Sequence, residues 1–320
     1  MQRRQYLVGG CVALAALAGC LDDGGDASGG GRVEDRTGER AFSRTIGGLN
    51  NAAIALREAD GFDDPESVEF DPDEPRDHLE SARDHLETAE AELGDERDAD
   101  LEELRTYATV LEAAVDVAAT VADETLVDDV EAVERALDGD GDRSDAAAVV
   151  GERTGELETA DGRLDDGKSA LSEIDPDRFD DLATVDLADL EAGVSTLANV
   201  LRAQTALAAG YDATLEGDER LERGRERADA GAHDEAEAEF SAAKTAFEEA
   251  TRAFDDGNED APGGLAEYLE TGRCRSENLH DGARHLAAAS AAAADGDVRT
   301  ARDRRADAES ALASADACGD

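Results

Sequence analysis

Apolar residues recur three and four positions apart along most of the chain, the spacing that lays one apolar stripe on a helix. Residues 37–60 carry Phe42, Ile46, Leu49, Ala53 and Leu56 in that register, which predicts a helix ended by Gly61. Three prolines and many acids make 62–75 a loop. Residues 76–93 repeat a heptad through Leu79, Ala82, Leu86, Ala89 and Leu93, and 99–122 repeat it through Leu101, Leu104, Ala108, Leu111, Val115 and Ala119. A shorter helix is predicted over 126–137. Ser144 reads as the N-cap of a helix reaching about 174, broken or thinned by Gly151, Gly155, Gly162 and Gly167. Asp175-Pro176 restarts the chain. From 186 to 230 the series Leu190, Val194, Leu197, Leu201, Ala208, Tyr211, Leu215 holds phase and then weakens.

In that weakening stretch Gly210, Gly217, Gly224 and Gly231 recur every seven residues, nearly on one helix face. An interior glycine costs a helix about 1 kcal/mol relative to alanine. The four glycines therefore either admit a close backbone approach or mark breaks, and the pattern is read as broken near Gly217-Asp218. A strong helix follows over 233–254, then a loop with Pro262, then a pair over 265–294 and 298–317 joined at Asp295-Gly296-Asp297. No stretch alternates as a strand does. The fold class is all-α: antiparallel helical hairpins forming an Ala-rich bundle or a helical array.

Gly231, Ala236, Phe240 and Ala243 resemble the second helix of a tetratricopeptide repeat, and Gly296, Ala301 and Ala308 echo it with Arg305 at the aromatic position. The preceding helix departs from that pattern, with Arg220, Arg223 and Arg227 where bulky residues belong. The echoes stand 65 residues apart, not a multiple of about 34. Array and plain bundle both accommodate these spacings.

The charge changes the picture. Eighty-one acidic residues face 31 basic ones for a formal net charge of −50. This excludes nucleic-acid binding, because no basic patch is available to neutralise phosphates. Lys168 and Lys244 are the lysines; every other cation is arginine. The acids are interleaved with Ala, Leu and Val at helical spacing, which makes them a solvated face and not a tail. Such a surface repels itself in dilute buffer and far less at molar salt, where the Debye length is about 3 Å. The composition resembles that of proteins from extremely halophilic archaea, and the resemblance implies folding that depends on salt.

Residues 1–19 read as an export signal: Arg3 and Arg4, then an apolar run over 8–18 that is shorter than the roughly 20 residues of a membrane span. The paired arginines resemble a twin-arginine signal, without the usual Ser or Thr ahead of them. Leu17-Ala18-Gly19-Cys20 resembles a lipobox, which implies cleavage before Cys20, lipid on that residue and loss of Cys11 with the signal. Residues 20–36, rich in Asp, Gly and Ser, read as a flexible tether. Beyond it the chain divides into helical regions 37–175 and 176–320.

Cys274 and Cys318 remain after signal removal. Each lies 22 residues from Gly296, so an antiparallel hairpin turning there sets them side by side, and an extracytoplasmic location permits a disulfide. Asp138, Asp140 and Asp142 begin like a calcium loop, but Arg143 and Val149 occupy the positions of its obligatory Gly and bidentate Glu. An acidic interhelix turn is the plainer account. His78 and His85 lie two turns apart; His280 and His285 diverge by about 140°. No phosphate loop and no nucleophile in a recognisable setting is present, so no enzyme and no cofactor is expected. The expected role is a lipid-anchored scaffold on the outer face of the cell membrane, binding another envelope or extracellular protein. The alternative is a cation- or solute-binding lipoprotein acting with a membrane partner.

Overall fold

The computed structural model describes residues 31–58, 70–122 and 125–318, with side chains from residue 36 onward. Among these residues every regular element is a helix. The first group comprises α1 (Gly31–Glu58), α2 (Asp73–Glu92), α3 (Asp98–Val121), α4 (Thr125–Leu137), α5 (Arg143–Leu171) and the short α6 (Pro176–Leu182). The second comprises α7 (Leu187–Asp229), α8 (His233–Asn258), α9 (Gly263–Ala294) and α10 (Val298–Ala315).

Several predicted boundaries move. Helix α1 begins at Gly31, inside the stretch read as tether. Helix α2 begins at Asp73, because a proline at position 75 falls in its first turn, where no intrahelical N–H is missed. Asp142, not Ser144, caps α5: its side chain accepts from the Ser144 and Asp145 N–H groups. Helix α5 is unbroken through all four glycines: Gly151, Gly155 and Gly162 face open space, and Gly167 sits against Ala113 of α3.

The largest correction concerns α7, which runs 43 residues without a break at Gly217-Asp218. The glycines are there for close approach. A Cβ on Gly210, Gly217 or Gly224 would come closer than 3.0 Å to the rings of Phe254, Phe247 and Phe240 respectively. The three phenylalanines repeat every seven residues on α8, antiparallel to α7, and each Gly–Phe pair is centred on Ala232, in the turn between the helices. Gly231 makes that turn at φ 78°, a backbone region that favours glycine. The apolar pattern weakens on α7 because α8 supplies the bulk for both helices. All three rings are buried.

Helix α7 is the spine. It packs on α3 and α5 and carries α8 and α9. Gln204 Nε2 donates to the Val121 carbonyl at 2.8 Å, fixing α7 against the end of α3. Asn50 Oδ1 on α1 accepts from the Thr184 N–H just ahead of α7. One apolar cluster runs from α1 to the start of α9; a second, smaller one, with Leu221, Phe240, Phe247 and Ala283, fills the far end of α7 to α9. Helix α7 alone exceeds the ~34 residues of a two-helix tetratricopeptide unit. The α8 spacings that resemble the repeat serve the Gly–Phe seam.

Candidate functional site

Cys274 on α9 and Cys318 just beyond α10 form a disulfide, with Cα atoms 5.9 Å apart. The hairpin turns at Gly296 with φ 77°. Between turn and disulfide, α10 is thinly held. Ala308 and Ala315 are its buried residues, and Leu312 lies over Gly282 of α9.

The Asp-Gly loop between α4 and α5 is a clasp. Asp138 pairs with Arg275 of α9, and Asp142 is taken up by its capping bonds. Asp140 is exposed, its N–H donating to the Arg135 carbonyl at 2.9 Å. Arg143, next in sequence, reaches Asp218 of α7 at 2.6 Å and also pairs with Glu222. Burial pushes the Asp218 carboxyl above its ordinary range, and Arg143 beside it only partly offsets that rise. Among the described residues no group of three or more His, Cys, Asp or Glu is gathered as a metal site would require. His280 and His285 lie against different carboxylates, Asp281 and Asp307. Cys20, Arg3 and Arg4 lie outside the described residues.

One concavity stands apart. Beside the α9–α10 turn lies a cleft of about 530 Å³ walled by α7, α8, α9 and α10. Phe240, Leu286 and Leu312 give it an apolar floor; Arg225, Arg302, Arg305 and His233 stand around it with Asp229 and Glu309. Val298, at the mouth, is 66% exposed, the one large apolar side chain so exposed among the described residues. Arg302 and Arg305 lie one turn apart on α10. Nearby arginines are paired: Arg220 and Arg223 to Glu239, and Arg227 to Glu235, across the α7–α8 hairpin. Among the described residues Arg302 and Arg305 stand outside the ion pairs of this end, and Arg225 acts on the Asp218 carboxyl through space without pairing with it. The cleft takes in the end of α7, the start of α8, the end of α9 and most of α10.

Sequence reasoning found the cysteines and the hairpin but missed this cleft. The available signal was Arg299, Arg302, Arg304 and Arg305 within seven residues of so acidic a chain, on a helix whose apolar positions are nearly all alanine. Compared with known protein families, characterised proteins and solved structures, the chain matches none.

Proposed function

We propose that the chain is a lipid-anchored, extracytoplasmic helical mast that holds a protein-binding cleft away from the membrane, and that it binds rather than catalyses. One observation carries this reading: the cleft and the start of α1 lie at opposite ends of the molecule. Arg97, at the start of α3, pairs with Glu39 near the start of α1, while the far end of α3 meets α7 at Gln204. Helix α1 thus begins below the first turn of α7, and the cleft surrounds its last. The 43 residues of α7 alone span about 65 Å at 1.5 Å per residue. A tether joined to α1 and a lipid on Cys20 would leave the tip the part farthest from the bilayer. Acyl chains contribute about 0.8 kcal/mol per buried methylene, so two of them anchor durably.

Isolated from membranes at molar salt, the intact chain is expected to carry a stoichiometric protein partner. Recovery of the chain alone with bound metal, by elemental analysis, overturns this in favour of cation or solute carriage. That alternative draws on the negative surface, which adaptation to salt would equally produce. Cys20→Ser is expected to move the chain from the membrane to the soluble fraction; persistence in the membrane sinks the anchor.

A further inference from the structure

We propose that the tip cleft receives an acidic amphipathic helix of a partner protein, laid along α10 with its apolar face on Leu286, Val298 and Leu312. This rests on the reading of the chain as a binding protein and names the partner's chemistry.

The cleft follows α10 from Val298 to Leu312, about 21 Å at 1.5 Å per residue, the length of four helical turns. Its floor is apolar and its rim polar, the division that an amphipathic helix in a groove requires. The rim is where the chain departs from its own electrostatics. On a molecule of net charge −50, three arginines line the cleft from both sides, Arg225 on α7 and Arg302 and Arg305 on α10, against Asp229 and Glu309. Arginine stems cover apolar surface while their guanidinium groups remain available, and their planar forks pair with carboxylates through two hydrogen bonds. A partner helix with carboxylates flanking an apolar stripe satisfies floor and rim together.

A second copy of this chain presenting the same surface is the poorer occupant. A two-fold contact sets identical patches face to face, which here would bring Arg302 and Arg305 against their own copies. A basic helix would be attracted to the rest of the molecule and repelled at the cleft.

The test uses the full chain at molar salt and three synthetic helical peptides of about fourteen residues, four turns. All share one leucine stripe; their polar faces carry glutamate, glutamine or lysine. Binding is read by fluorescence anisotropy. The glutamate peptide is expected to bind at least tenfold more tightly than the lysine peptide. Arg302→Glu with Arg305→Glu is expected to remove that preference, with unchanged circular dichroism because both side chains are exposed. No binding by any peptide overturns the proposal, as does a lysine peptide that binds as well as the glutamate one. A glutamate peptide indifferent to the double substitution overturns it too. None of these results bears on the membrane anchor, which is read separately through Cys20.

Discussion

At the scale of single residues, glycine has opposite meanings in two helices. Gly151 on α5 faces open space, whereas a Cβ on Gly217 of α7 would stand 2.5 Å from Cε1 of Phe247. Gly151→Ala is therefore expected to stabilise the chain by up to about 1 kcal/mol, the ordinary helix-propensity gain. Gly217→Ala is expected to destabilise it by about 1–3 kcal/mol, because the ring sits in a filled core and has no space to retreat. Denaturant melts of both variants check the pair; stabilisation by Gly217→Ala would contradict the close seam. Pairing it with Phe247→Leu should recover much of the loss, since residues in contact are coupled. Sequence alone gave the seven-residue repeat of glycines but not its sense, because a helix that lacks bulk looks the same whether it ends or receives a neighbour's rings. The phenylalanines at 240, 247 and 254, mirroring Gly224, Gly217 and Gly210 about Ala232, carried the missing half of the information.

At the scale of elements, helix type and order were legible because the apolar spacing of three and four persists through α2, α3, α8 and α9. Boundaries were less so. The cap of α5 fell to Asp142 because both it and Ser144 are good N-cap residues, and local pattern does not rank them. The disulfide was legible from counting alone, since two cysteines equidistant from a turn oppose one another on antiparallel helices. The cleft was not, because its walls come from four helices, a property of packing and not of any one segment. Helix α10 buries chiefly Ala308 and Ala315, so its attachment should depend on the covalent link. Closing a loop of this size contributes on the order of 4 kcal/mol by the chain-entropy estimate. Reduction, or Cys318→Ser, is expected to lower the melting temperature and to speed amide exchange through α10 first. The amides of α7 and α8 along the Gly–Phe seam should remain protected. Equal protection of α10 with and without the bond would show that its small contacts suffice.

At the scale of the whole molecule, acid and salt should act in the same direction at first and then part. Burial raises the carboxyls of Glu103, Glu112, Glu134 and Asp218, although the arginine nearest each pulls the other way. Burial raises Asp100 as well, but hydrogen bonds from Arg97 and Arg178 outweigh it and hold that carboxyl low. A raised carboxyl takes up its proton in the native state before the unfolded one does. As pH falls from neutral through its folded pKa, the native state binds more protons and stability increases. The contribution of Asp100 has the opposite sign: present above its unfolded pKa, it is lost as pH falls through its folded value. At molar salt, where long-range repulsion is screened, stability by thermal melting is expected to pass through a maximum at mildly acidic pH. A steady decline from neutrality downward would contradict this. Removing salt at neutral pH restores repulsion over tens of ångströms to a chain of net charge −50, and the opposing cohesion comes from cores rich in alanine. The tip has the smaller of the two apolar clusters. On dialysis from molar to tens of millimolar salt, helicity by circular dichroism is expected to fall, and amides of α8 and α9 near the tip should exchange before those of α3. Unchanged helicity at low salt would show that packing alone holds this acidic array together.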